Sequence, residues 1–279
     1  MKMRLATTVA AAVLLAGVAQ SADLYQPQPE PLMDAPEVTV QEATGWYLRG
    51  DVGYSFNKMR GAKYFQGGQT FETDFTTATI DDSWMLGAGV GYQINNYLRT
   101  DLTFDRLTSA DFRGSTTGLC LDGVTICTSS DKSSMTAYSL MANVYVDLGT
   151  YSYFTPYVGA GLGASYVKWN KLRNQICDDP GAPGCYGDDH GGKSKWRASA
   201  ALMVGTAIDI TCNLKADIGY RYRYIDGGNM FGFAGGGGAQ GRDKGFHSHE
   251  ARVGARYMFN NNCEAPVAYE PEPQPIVYK

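Results

Sequence analysis

The chain is short of charge. Asp, Glu, Lys and Arg make up 19% of its 279 residues, against ~25% in ordinary soluble domains. It has no basic excess, since the formal net charge is −4, and that excludes general nucleic-acid binding, which wants a basic face. It lacks long hydrophobic runs beyond one near the N-terminus, and its mean hydropathy is −0.27, so it is not a bundle of transmembrane helices. It holds only three histidines. Its six cysteines include no Cys-x-x-Cys pair, and their spacings fit no zinc site. What it has in excess is glycine (34) and tyrosine (19), with 44% hydrophobic residues overall. That composition points to an all-β protein and leaves open whether water or lipid surrounds it.

The N-terminus bears on that question. Lys2 and Arg4 precede an apolar run from Leu5 to Ala19, followed by small residues. This is the pattern of a secretory signal over 1–21, with cleavage before Ala22 or just after it. Residues 22–44 hold Pro27, Pro29, Pro31 and Pro36 among acids and read as an extended periplasmic segment. Residues 260–279 form a second Pro/Glu-rich tail that echoes it. The folded domain is therefore expected over 45–259.

Within it, residues alternate with period 2. Eight stretches read as strands, beginning near residues 46, 84, 98, 138, 157, 196, 214 and 250. Each is about long enough to cross a bilayer at a tilt. The connections alternate in length: short at 95–96, 149–155 and 211–213, long at 57–82, 106–135, 169–195 and 227–246. One face carries Leu, Val, Ala, Ile and aromatics with almost no charge, while the other carries Gly, Ser and ionised groups. Aromatics gather at strand ends, as an interfacial belt does. These features together predict an all-β, eight-stranded antiparallel up-and-down transmembrane β-barrel, uncharged face to lipid, both termini periplasmic.

Several segments resemble small outer-membrane barrels of Gram-negative bacteria. The opening Gly45-Trp46-Tyr47-Leu48-Arg49-Gly50-Asp51-Val52-Gly53-Tyr54 is similar to first strands of the porin-family, opacity-like group. Residues 154–161, 218–224 and 249–257 are similar to later strands of the same group, which includes OmpA-like transmembrane domains, opacity-type adhesins and heat-resistant agglutinins. The resemblance implies a non-enzymatic surface protein in the cell outer membrane, its loops meeting a host or cell-surface ligand. It implies as partners outer-membrane lipid, lipopolysaccharide and the barrel assembly machinery, and no cofactor. Uptake of small solutes or haem is the alternative from another class. One departure is that twenty residues follow Phe259, whereas many such proteins end at the last strand's aromatic residue.

The inward face would carry Arg49, Arg99, Arg197, Lys215, Arg221, Arg223, Arg252 and Arg256 beside Asp51, Asp101, Asp105, Asp147, Asp209, Asp217 and Glu250. An eight-stranded barrel is barely wide enough for its own side chains. These charges are expected to pair, because an unpaired ion in a narrow lumen is costly. The cysteines suggest disulfides in an exported protein. Pairing Cys120 with Cys127, Cys177 with Cys185 and Cys212 with Cys263 leaves no bond across the membrane. His247-Ser248-His249-Glu250 holds the residue types of a hydrolase, the basis of a remote lipid-modifying alternative. But neighbours on a strand point to opposite faces. His190 follows Asp188 and Asp189 in a Gly-rich loop and reads as solvated.

Overall fold

The computed structural model describes residues 44–66 and 71–259. The expected signal segment, nearly all of the Pro/acidic segment 22–44, the tail 260–279 and Cys263 lie outside the described residues. Eight long strands dominate: β1 (Gly45–Met59), β2 (Ser83–Gln93), β3 (Leu98–Ser115), β4 (Ser130–Asp147), β5 (Phe154–Trp169), β6 (Ser194–Asp209), β7 (Leu214–Ile225) and β8 (Phe246–Met258). Each pairs antiparallel with its sequence neighbours, and β1 pairs with β8 from Tyr47↔Met258 to Met59↔Phe246. The ring is closed and has no free edge, the condition for a sheet to stand in lipid.

The pleat sorts the side chains. Leu102, Val144, Leu162 and Leu202 point outward and are 48–72% exposed, while Asp101, Asn143 and Met203 beside them on the other face are buried. Aromatic pairs mark both rims. Trp46 packs on Tyr92 at the short-turn end, and Tyr54 on Trp84, Phe104 on Tyr138 and Tyr166 on Trp196 at the other. Glycine on the inward face makes room for rings from adjacent strands. A Cβ on Gly205 would sit 2.6 Å from the Tyr157 hydroxyl.

Several strands run well past the rim at the long-loop end. β3 and β4 each have 18 residues, against the ~9–11 that span a bilayer. Much of the stretch 106–135, expected as loop, is therefore strand. A bulge between Leu107 and Ala110 shifts the register of β3, so that beyond it Ala110 and Phe112 point inward. Past the rim the interior turns apolar, with Met85, Leu107, Phe112, Met135, Val167, Trp169, Ile225 and Phe246 in one buried cluster. A small sheet of Ala62–Phe65, Glu72–Asp74, Gly228–Phe231 and Gly241–Asp243 joins the first and fourth long loops. It brings Tyr64, Phe75 and Phe231 onto the same cluster. The interior was expected to carry Gly, Ser and ions throughout. That holds below the rim, and above it the wall meets water outside and oil inside, the reverse of the lipid-embedded part.

Candidate functional site

The structure places all fifteen of the inward charges named above in ion pairs. Near the short-turn end Arg99 Nε donates to Asp147 at 3.0 Å and Arg256 Nε to Asp217 at 2.9 Å. Arg99 also lies over the rings of Tyr145 and Tyr157, 4.2 and 4.5 Å from their centres, a cation–π placement that suits a guanidinium with few other partners. Lys215 and Asp209 pair at the rim, partly exposed. In the middle Arg49 bridges Asp51 and Asp101, each at 2.8 Å, and donates to the Tyr145 hydroxyl. Arg252 reaches Asp51 at 3.1 Å. Farther up, Arg221 reaches Asp105 at 2.7 Å, and Arg221 and Arg223 share Glu250. These three side chains, and that of Arg223, are wholly buried.

One partner was missed from sequence. Arg197 pairs at 2.7 Å with Asp243, a residue of the fourth long loop that folds back over the lumen. A loop acid followed by Lys244-Gly245 carries no strand-parity signal that would have pointed inward. Arg49, Tyr145, Tyr157, Met203 and Arg252 enclose a void of about 10 Å³, room for one water. Side chains and ion pairs thus fill the lumen, and the apolar cluster caps it.

The long-loop end is cross-linked. Cys120 bonds Cys127 and Cys177 bonds Cys185. Cys212 sits between β6 and β7, and its expected partner Cys263 lies outside the described residues. Asp179, buried, braces the two disulfide-closed loops together. It accepts hydrogen bonds from the Leu121 amide (2.9 Å), the Tyr186 hydroxyl (2.6 Å) and the Gly181 amide (2.7 Å). The Leu121 amide foremost, with the Tyr186 hydroxyl, holds its carboxyl below the usual carboxylate range. Cys120, Cys127 and Asp179 lie close enough to suggest a metal site, but both sulfurs are spent in a disulfide. Beyond this brace the hairpin Thr117–Leu119 with Ile126–Thr128 displays Leu119, Leu121, Val124 and Ile126, each at least 67% exposed.

The remaining sequence candidates separate. His247 and His249 face outward, hydrogen-bonded to the hydroxyls of Tyr222 and Tyr220. Ser248 and Glu250 face the lumen, where Ser248 donates to Asn57 and Glu250 is held by arginines. The four cannot converge on a substrate. Asp189 is engaged by Lys171 and Arg173. His190 is not solvated as expected but buried, its ring packed on Phe231.

Residues 8–259 match the family described as outer membrane protein beta-barrel domain. An uncharacterized protein of Brucella abortus (strain 2308) is 36% identical over 90% of this chain and 98% of its own length. A protein of Rickettsia felis named as a candidate adhesin is 30% identical over 68% of this chain and 75% of its own. Among solved structures, Neisserial surface protein A is 18% identical with a TM-score of 0.44, covering 78% of this chain and 100% of that one. The closed eight-stranded ring, its apolar outer face and the span of the family match lead to one conclusion: the chain belongs to the outer-membrane β-barrel family.

Proposed function

We propose that this outer-membrane protein is a non-enzymatic, adhesin-like surface protein whose barrel is an anchor and whose loops bind a host or cell-surface ligand. The observation that carries the reading is the braced hairpin at the long-loop end. Two disulfides and Asp179 hold four large aliphatic side chains out in water. Exposing them costs solubility unless a partner covers them, and a pre-formed tip loses little freedom on docking. A Rickettsia relative named as a candidate adhesin supports the same assignment.

The rest of the molecule suits an anchor. The filled lumen leaves no path for a hydrated ion, which speaks against solute uptake through it. Both termini and the short turns lie on the periplasmic side in this reading. The segment before residue 22 serves as a cleaved export signal, and the assembly machinery inserts the barrel. Lys58, Arg106 and Lys168 point outward just past the aromatic rim, at the height of lipopolysaccharide phosphates, which they would bind.

The test uses cells displaying the full-length protein, with adherence to cultured cells as the readout. The double variant Leu121→Asp/Val124→Asp should cut adherence to the level of cells lacking the protein, with surface amount unchanged. Undiminished adherence would remove the hairpin from the binding surface and the reading with it.

A further inference from the structure

A cleft of about 240 Å³ lies among the long loops, below the disulfide-braced hairpin. One wall is aromatic. Tyr64 packs edge-on to Phe75 with ring centres 5.1 Å apart, and Phe75 meets Phe231 at 6.2 Å. Asp131, His190 and Gln240 also line the cleft, with His190 packed on Phe231. No lysine or arginine lines the cleft, although Asp131 and Asp188 both do.

Asp131 is 1% exposed. Its oxygens accept hydrogen bonds from the Ser129 hydroxyl (2.8 Å) and the Asn174 amide (2.6 Å), both neutral donors. Among the described residues no Lys or Arg forms an ion pair with it. Every inward acid of the lumen has an arginine or lysine, and this buried acid has neither, His190 being the one basic group that acts on it. Burial pushes its carboxyl up from the ordinary value, as it does for a carboxylate short of positive charge. A second group tells the same story. Gln240 Oε1 is buried without a hydrogen-bond partner, while its amide nitrogen donates to the Phe65 carbonyl. The His190 Nδ1 lies 3.2 Å from the Gly232 carbonyl. With the proton on Nδ1, Nε2 is left as an acceptor. The cleft thus offers acceptors, a buried acid and aromatic rings, and, His190 aside, no side chain that carries positive charge.

We infer that this cleft binds a small organic ammonium ion, its charge against Asp131 and its alkyl groups against Tyr64, Phe75 and Phe231. The chemistry follows from the lining. A buried carboxylate needs a cation to offset its desolvation, and aromatic faces attract alkylammonium groups. The volume is smaller than the ~300–1,000 Å³ of sites for drug-sized molecules, which limits the ligand to a headgroup or a simple amine. An inorganic cation would not need the aromatic wall. Gly118, Leu119 and Cys127 of the hairpin contribute to the lining, but this inference does not rest on the adhesive reading, because Leu121 and Val124, the residues that reading tests, do not line the cleft.

Calorimetry on the full-length protein folded in detergent tests it, with choline and ethanolamine as probes. Dimethylbutanol, in which carbon replaces the choline nitrogen, is the uncharged control. At least one of the two amines should bind, and dimethylbutanol should bind at least roughly tenfold more weakly than choline if choline is the ligand. Asp131→Asn should weaken binding by roughly tenfold or more, the equivalent of ~1.4 kcal/mol. Phe231→Leu, which leaves the acid in place, should weaken it less. Both variants are first checked for folding by their gel mobility without heating. The glycerophospho derivatives of the two amines separate the sources: competition by them points to a lipid headgroup, and binding of the free amines alone to a soluble metabolite. Failure of both amines to bind, or equal binding of choline and dimethylbutanol, overturns the proposal. So does unchanged affinity in folded Asp131→Asn.

Discussion

Glu250→Gln should be among the most damaging conservative substitutions in this barrel. Glu250 accepts from Arg221 Nε on one oxygen and lies against Arg223 Nη2 on the other, both at 2.5 Å and all side chains fully buried. With its charge gone, Arg221 and Arg223 keep Asp105 as their anionic partner, at 2.7 and 3.6 Å, and Arg223 its hydrogen bond to Ser139, while Arg252 also approaches the Asp105 carboxylate at 3.9 Å. A charge pair 4 Å apart is worth ~4 kcal/mol at an effective dielectric near 20. Glutamine keeps a neutral acceptor and so returns part of that for each arginine. Breaking a buried pair by removing one partner costs ~3–5 kcal/mol, and the fully enclosed geometry here places Glu250→Gln in that range. The assay is urea unfolding of vesicle-inserted protein, read by the mobility difference between folded and unfolded bands. Asp209→Asn, which touches the partly exposed Lys215–Asp209 pair at the rim, should cost only ~0–1 kcal/mol. Adding Arg223→Met to Glu250→Gln should recover much of the loss, because the stranded cation is then gone. If Glu250→Gln falls within ~1 kcal/mol of wild type, like a surface pair, the lumen is hydrated enough to screen its charges and the sealed-anchor picture fails.

Two further outcomes are expected. Val144, 51% exposed on the outer face of β4, should tolerate arginine poorly: Val144→Arg costs ~2–4 kcal/mol near mid-bilayer. Asn143→Ser on the inward face should cost less, and equal losses would put the wrong face toward lipid. Peptide mapping of unreduced protein should link Cys212 to Cys263, a closed loop of about fifty residues worth ~3–4 kcal/mol in the chain-entropy account. Linkage of either to a cysteine of the long loops would break the assignment of sides.

Strand number and facing were legible because lipid imposes one rule over a long stretch. An outward residue such as Leu102 or Val144 must be apolar, and the inward ones between them need not be. That rule ends at the aromatic rim, and the sequence reading ended its strands there too. β3 continues to Ser115 across a bulge that reverses which residues face in. An alternation pattern broken at Leu107–Ala110 looks like loop. The apolar cluster of Phe112, Met135 and Trp169 was hidden for the same reason, since nothing in period 2 distinguishes it from exposed loop. Residue types in the lumen could be read, but not who meets whom. Arg221 and Asp105 are 116 positions apart, and their meeting depends on the stagger of the closed ring. The cleft was wholly illegible. Tyr64, His190 and Phe231 come from three separate connections and Asp131 from the upper end of β4, and only the folded loops bring them together.

The reversal of polarity at the rim has a consequence for how this protein can change over generations. Below it, an altered outward residue is tested by lipid and an altered inward one by a crowded ionic network. Above it, outward positions such as Lys132 and Arg173 are exposed to water, while an enclosed core beneath them keeps the wall standing. Substitutions at such wet positions typically move stability by no more than ~0.5 kcal/mol. With the long loops outside the cell, as proposed, the upper wall is a surface on which antibody or phage pressure can rewrite the visible residues. The oil-filled interior, which no antibody reaches, must stay as it is.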